Sequence, residues 1–387
     1  MPMTQADSRG DRVKTHVVAV NAGSSSLKVA VLDADNGLTD SLDLEAWDGS
    51  PDHRELTDFL TSACAGAAVV GHRVVHGGSV FSQAVLIDDS VVQAIGQLTD
   101  LAPLHQPRAL AGIAAARRAL PDTPAVACFD TAFHAGMPAA AARYALPAAW
   151  TRRFGLRRFG FHGLSHGYAA GRAAEMLDCD ETRLRVVICH LGAGASLAAV
   201  HGGRSVDTTM GFTPLEGLVM ATRSGSVDPG LIVWLLQHGQ LALDEVAAGL
   251  EQSAGLAGLS GQASGDILDV QQAAAAGDQA AALAIEVYLH RLRREIAAMA
   301  AAMNGLDAIV FTGGIGEHNP RIRAAAATGL EFLGISVDAV RNEATADAVI
   351  SGPQAVVPSL VITAREDIEI ARQARAVLMR PSGAARG

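Results

Sequence analysis

The chain opens on an apolar, β-branched run, His16–Val20, then a stretch of small residues, Ala22–Ser26, then a second apolar run, Leu27–Asp33. Runs of this length around a Gly/Ser turn predict two strands of a hairpin. The pattern returns in mid-chain: Val186–His190 reads as a strand, Leu191–Ser196 as a loop and Leu197–Val200 as a returning strand. With a one-residue gap, VVAVNAGSSSLKVAV matches VVICHLGAGASLAAV, setting Asn21 against His190 and Gly23 against Gly192. Two unrelated hairpins with glycine loops could share these letters, because short glycine motifs are common. Duplication of one domain within the chain is the favoured explanation. Elsewhere, Ala67–Val70, Ala125–Cys128 and Ala308–Phe311 read as buried strands, and Arg108–Leu120, Gly167–Leu177 and Gln279–Asn304 as helices. The last of these strands runs into a glycine-rich loop, Thr312–Glu317, and then a helix. Such alternation predicts an α/β fold with mixed sheets, not a bundle or a sandwich.

Composition narrows the function. With 387 residues, 49% of them hydrophobic, the chain can fill two cores. No apolar run reaches the length of a membrane span. The charged residues 1–15 lack an apolar signal core and read as a flexible leader, and Pro381–Gly387 as a frayed end. Cys64, Cys128, Cys179 and Cys189 are scattered without CxxC spacing, which fits a reducing, cytoplasmic setting and neither a zinc site nor a disulfide framework. A formal net charge of −10 argues against nucleic acid as a partner. Any anionic substrate must therefore meet local cations within a cleft. The alanine runs Ala273–Ala276 and Ala297–Ala302 read only as helix composition.

Candidate chemistry sits at strand ends. Three small-residue loops, Ala22–Ser26, Leu191–Ser196 and Gly313–Gly316, would let backbone N–H groups approach phosphate oxygens. None is a P-loop or a clean dinucleotide fingerprint. Arg73 and Arg223 lie in glycine-flanked, weakly charged runs, where a guanidinium fork needs an anion. Asp130 directly follows an apolar strand, where ligands gather in open α/β sheets. His162 and His166 stand four apart, a spacing that would suit a metal on a helix. Gly163 weakens a helix there, so donation to a phosphoryl oxygen is the better reading, with a buried structural histidine as the alternative.

Together, VNAGSSSLK, GHRVVHGG, APLHQP, FDTAFH, FGFHGLSH, VDTTMGFTPLEG with TRSGSVDP, FTGGIGEH and AREDIEIAR resemble the acetate and propionate kinase family, in its order and across Val17–Arg372. The resemblance implies two duplicated actin-like ATPase (ribonuclease H-like) domains around a central cleft. It places residues 16–133 plus 370–387 in the first domain and 134–369 in the second, which would carry the nucleotide site and the interface of a homodimer. It implies reversible transfer of the ATP γ-phosphoryl group to acetate, giving acetyl phosphate and ADP. Asn21 and Glu366 would place Mg²⁺, or Mn²⁺ in its stead. Ser24, Ser26 and Lys28 would lie near the phosphates, as would His190, Gly192 and Gly194. Arg73 and Arg223 would hold the carboxylate and the phosphoryl group in transit, with Asp130 close by and His162 stabilising the transition state. His105, His166 and His190 match supporting histidines. Val75, Leu104, Phe161 and Pro214 match the pocket for the acetate methyl. Asp266 and the run Gly313, Gly314, Ile315, Gly316 and Glu317 match the adenosine side.

Three positions depart from the family pattern. Ala193 and Gln106 each stand where it usually has asparagine, and Leu268 replaces an arginine that contacts adenosine. Leucine offers only apolar contact to a base that a guanidinium could stack on, so looser nucleotide selectivity is expected. The alternatives are a propionate- or butyrate-preferring kinase, an enzyme using GTP or pyrophosphate, or a non-catalytic nucleotide sensor. Retention of Asn21, Arg73, Asp130, His162, Arg223 and Glu366 speaks against the last.

Overall fold

The computed structural model describes residues 16–23 and 26–380. The leader, the C-terminal residues 381–387 and Ser24 lie outside the described residues. Strands β1 (Val17–Ala22), β2 (Leu27–Leu32), β3 (Leu38–Leu44), β4 (Val69–Val74), β5 (Val85–Leu86) and β6 (Ala125–Phe129) form one sheet, in the order β3-β2-β1-β4-β6-β5. Strands β7 (Arg185–Leu191), β8 (Ala195–His201), β9 (Arg204–Thr208), β10 (Ala308–Thr312), β11 (Ala348–Val349) and β12 (Ser359–Val361) form the second, in the order β11-β12-β10-β7-β8-β9.

The two sheets correspond strand for strand. Each has an antiparallel meander, β1-β2-β3 or β7-β8-β9, followed by two parallel steps, β1-β4-β6 or β7-β10-β12. Each closes on a two-residue antiparallel edge, β5 or β11. Asn21 and His190 are the penultimate residues of the equivalent strands β1 and β7. Two unrelated hairpins would not reproduce five strand pairings in the same sense, so the fold is a duplicated α/β unit.

Element boundaries move in several places that bear on the site. The strand expected over Ala67–Val70 runs over Val69–Val74 and takes in Arg73, and Ser196, expected in a loop, lies in the strand Ala195–His201. The helix expected over Gly167–Leu177 runs over Gly163–Met176, with His162 at its N-cap. Gly163 permits the early start, because a Cβ there would lie 2.1 Å from the backbone oxygen of Asp130. The expected loop Gly313–Glu317 is instead a helical segment, Gly313–His318. Glu317 stabilises it from within, its Oε1 accepting a 2.9 Å bond from the Gly313 N–H.

The C-terminal helix, Glu366–Leu378, returns to the first sheet, where Ile370, Ala371, Ala374 and Val377 pack against Val17, Ala19, Val69, Val126 and Cys128. Gly71 in β4 makes the close approach possible: a Cβ there would stand 2.4 Å from Ile370 Cγ2. Gly71→Ala is expected to destabilise the protein by about 1–3 kcal/mol through overpacking, read as a lower Tm in thermal unfolding. No helix among the described residues is long and apolar enough to cross a membrane.

Candidate active site

The carboxyl ends of β1, β4 and β6 converge, as ligand-binding strand ends do in α/β sheets. They deliver Asn21, Arg73 and Asp130, and the C-terminal helix adds its first residue, Glu366. Arg73 donates to Asp130 Oδ2 from Nε at 3.0 Å and from Nη2 at 2.7 Å, and from Nη1 to Asn21 Oδ1 at 3.0 Å. Asn21 Nδ2 donates to Glu366 Oε2 at 2.7 Å, and that oxygen lies 3.7 Å from Arg73 Nη1. One cation is thus fixed among two carboxylates and an amide.

Burial works against the charge of Arg73, yet Asp130 and Glu366 hold the guanidinium more firmly protonated than usual. Burial, helped by Glu366 and opposed by Arg73, raises Asp130 to about 6. Burial also opposes ionisation of Glu366, but Arg73, His190 and the Asn21 amide keep it below the ordinary carboxylate range. Asp130 Oδ1 is buried without a hydrogen-bond partner. An unpaired buried carboxylate oxygen is costly and calls for a cation or a donor. Oxygen donors from Asp130, Glu366 and Asn21 suit a hard ion such as Mg²⁺. Among the described residues no cluster of three His, Cys, Asp or Glu could enclose a metal alone, so this donor set fits an ion completed by water and substrate phosphates.

The second half supplies the facing wall. His162 has a left-handed backbone (φ 56°), and its ring stacks on His190 with centroids 4.3 Å apart. His190 Nδ1 meets Ser165 Oγ at 2.8 Å. Burial, with His190 and Arg73 beside it, lowers the His162 pKa well below the usual imidazole range. A Cβ built on Gly194 would lie 3.5 Å from Arg223 Nη1 and 3.7 Å from His162 Nε2. A guanidinium and an imidazole therefore flank the space above that glycine.

Beside them, a cavity of about 450 Å³ is lined by Ala102, Leu104, His105, Pro214 and Arg223. Leu104 and Pro214 reach it from opposite halves. Val75 and Phe161 do not line it; they are buried in the same apolar cluster as Ala102. His105 is lowered to about 4 by burial and by Arg73, Arg223 and Arg108, so it stands neutral near three cations.

The remaining predicted residues fall in different places. Gly192 and Gly194 form the turn between β7 and β8, closed by a Gly192 N–H to Gly194 oxygen bond of 3.1 Å. Gly313 abuts it, since a Cβ there would be 2.8 Å from the Leu191 oxygen. Gly314 is exposed and Ile315 half-buried, while Gly316 and Glu317 are buried. Glu317 Oε1 also accepts from the Ala364 N–H at 3.0 Å, so its carboxylate braces backbone. Asp266 caps the helix Ile267–Ala275 by accepting from the Leu268 N–H at 2.7 Å. Lys28 makes a surface pair with Asp43 at 3.1 Å and does not join the Arg73 cluster. Ser26 accepts through its backbone oxygen from Gly23 N–H at 2.8 Å.

Sequence reading passed over two groups. Ser196 bridges His162 and His166, and its place opposite His190 in the β7–β8 register was the available signal. Tyr144, Arg158 and Glu216 tie down the loop that carries Pro214, through Tyr144 Oη to Glu216 at 2.5 Å and Arg158 to Glu216 at 2.6 Å.

A duplicated α/β fold that gathers Arg73, Asp130, Asn21 and Glu366 at strand ends suits transfer of an anionic group, and the relatives make it a phosphotransferase with a carboxyl group as acceptor. The model of the Acetokinase family matches residues 54–372, and the chain belongs to that family. It is 42% identical to the acetate kinase of Shouchella clausii over 386 residues, covering 92% of this chain and 98% of that one. It is 53% identical to the acetate kinase of a Synechococcus strain over 303 residues, covering 78% and 74%. The crystal structure of Porphyromonas gingivalis acetate kinase superposes with a TM-score of 0.86 at 34% identity, over 94% of this chain and all of that one. A propionate kinase from Francisella tularensis superposes with 0.85 at 35% identity, over the same shares.

Proposed function

We propose that the protein transfers the γ-phosphoryl group of ATP reversibly to acetate, giving acetyl phosphate and ADP by direct in-line displacement. The observation that carries the reading is the Arg73–Asp130–Asn21–Glu366 cluster together with His162 and Arg223, which flank Gly194. Phosphoryl transfer asks a protein mainly for alignment and for charge opposite a PO₃-like transition state. Arg223 and Arg73 orient the acetate carboxylate and the migrating group, and His162 donates to a phosphoryl oxygen. A carboxylate nucleophile is already ionised at neutral pH, so no general base is needed. Asp130 therefore acts by orienting Arg73. Asn21, Glu366 and Asp130 would hold Mg²⁺, which when bound offsets negative charge on the phosphates. The turn at Gly192–Gly194 and the segment Gly313–Gly316 receive the nucleotide.

The test is trapping of acetyl phosphate as the hydroxamate with ATP, Mg²⁺ and acetate; no product at saturating substrate overturns the reading. Propionate is the second reading, motivated by the equally good superposition of the Francisella tularensis propionate kinase. One methylene in an apolar pocket discriminates by about 1–3 kcal/mol, so kcat/KM across acetate, propionate and butyrate decides it.

Leu268 is 54% exposed, and we read it as lying on the adenosine side. Leu268→Arg is expected to lower the KM for ATP several-fold and to raise the ATP-over-GTP ratio of kcat/KM, by adding a cation able to stack on the base.

We assign residues 16–133 with the C-terminal helix to one domain and the intervening chain to the other. The helix Pro229–Gln237 of the second domain buries none of its residues and exposes Leu231, Val233, Trp234 and Leu236. An apolar face of this kind on a chain of net charge −10 supports a homodimer formed through it. Trp234→Asp is expected to halve the mass in sedimentation equilibrium while the far-UV spectrum stays unchanged. Four free cysteines, three of them buried, support a reducing, cytoplasmic setting.

A further inference from the structure

We propose that Ser196 and His166 are positioning residues that fix the tautomer of His162, through a chain in which His166 Nε2–H donates to Ser196 Oγ and Ser196 O–H donates to His162 Nδ1. The inference rests on the reading of His162 as donor to the phosphoryl group. Ser196 Oγ lies 2.9 Å from His162 Nδ1 and 2.8 Å from His166 Nε2. Ser196 and His166 are fully buried. A hydroxyl has one proton to give. Between two neutral imidazoles it donates to one ring and accepts from the other, so the two tautomers are linked.

Two arrangements satisfy that rule, and His166 decides between them. Its Nδ1 is buried with no hydrogen-bond partner. A proton on Nδ1 would be an orphaned buried N–H, which folded proteins tolerate less readily than an under-used acceptor. The His166 proton therefore sits on Nε2 and is donated to Ser196. Ser196 must then donate to His162 Nδ1, which leaves the His162 proton on Nε2. That nitrogen is the one beside Gly194 and Arg223 Nη1.

The consequence for transfer is a change of sign. With its proton on Nδ1, a neutral His162 would present a lone pair to the phosphoryl oxygens. With its proton on Nε2 it presents a donor. Burial and the neighbouring His190 and Arg73 keep the ring neutral, so protonating both nitrogens is not the route to a donor. The ring cannot turn over to exchange its nitrogens without breaking the bond to Ser196 and the stack on His190.

The test combines kinetics with a direct readout of the tautomer in the full-length protein. Ser196→Ala is expected to lower kcat by about 10- to 100-fold with KM for acetate and ATP within about twofold, since a wrong tautomer costs turnover rather than binding. Ser196→Thr, which keeps the hydroxyl, restores most of it. His166→Gln places an amide N–H where Nε2–H was and retains activity, whereas His166→Asn, whose amide mimics Nδ1, falls with Ser196→Ala. Long-range ¹H–¹⁵N spectra of histidine-labelled wild type should report His162 with Nδ1 unprotonated, and Ser196→Ala should give a mixture of tautomers. A wild-type His162 protonated on Nδ1, or a Ser196→Ala kcat within twofold of wild type, overturns the proposal. Absence of acetyl phosphate formation by the wild type instead overturns the phosphoryl-transfer reading, and the spectra still decide the tautomer.

Discussion

Arg73→Ala lowers kcat by about 10³-fold in the hydroxamate assay. A single preorganised donor to a developing charge contributes about 10²–10³ in turnover, and Arg73 carries more than its own contact with substrate. Its three N–H groups hold Asp130 and Asn21 in place, and its charge offsets Glu366. Truncation leaves two nearly buried carboxylates facing each other and the incoming anions, so repulsion adds to the lost attraction. Arg73→Lys recovers little, expected at about 10²-fold below wild type, because one ammonium cannot span both Asp130 and Asn21 as the planar fork does. The fall should appear in kcat more than in KM, as expected of a contact that strengthens in the transition state. A loss under about threefold, in a variant whose thermal unfolding remains cooperative, would refute the role given to Arg73.

The halves of the molecule were legible because backbone pattern repeats. The segments at Val17 and Val186 advertise equivalent strands, and sheet order then confirms the duplication at every pairing. Asp130 was legible because it directly follows an apolar strand, and Arg73 because a guanidinium in a glycine-flanked, weakly charged run needs an anion. What escaped was set by contacts distant in sequence. Lys28 follows the phosphate-loop pattern, yet its register opposite Asp43 draws it into a surface pair. Glu317 looks like a ligand beside a glycine loop, but its oxygen is used by the N–H groups of Gly313 and Ala364. Asp266 spends one oxygen on a helix cap. Gly163 was read as a helix breaker; against the Asp130 backbone it is the one residue small enough to start the helix there. Each of these depends on which chain segment passes nearby, and a local pattern does not carry that information.

Asp130→Asn abolishes the acid limb of the kcat/KM profile along with about 10³-fold of its height. Burial holds the wild-type carboxyl up at about 6, against the pull of Arg73. Below that pH Asp130 is protonated and releases its hold on Nε and Nη2 of Arg73, so wild-type kcat/KM, which reports the free enzyme, declines as pH falls through about 6. Stability runs the other way. Because the folded pKa lies above the ordinary value of 3.8, the folded state binds this proton more tightly than the unfolded one. The contribution of Asp130 to stability is full below the unfolded pKa and is lost as pH rises through about 6. The site is thus least stable when it is competent, a known cost of function. Asparagine keeps the shape and one acceptor for Arg73 but cannot titrate. Its kcat/KM should be uniformly low between pH 5 and 8, and the component of Tm that falls over this range in the wild type should vanish. Mg²⁺ gives the decisive control. A cation beside the unpartnered Asp130 Oδ1 favours the ionised form, so raising Mg²⁺ should shift the wild-type acid limb to lower pH and leave the Asp130→Asn profile flat. An acid limb that survives in Asp130→Asn would assign the titration to another group and remove Asp130 from the control of Arg73.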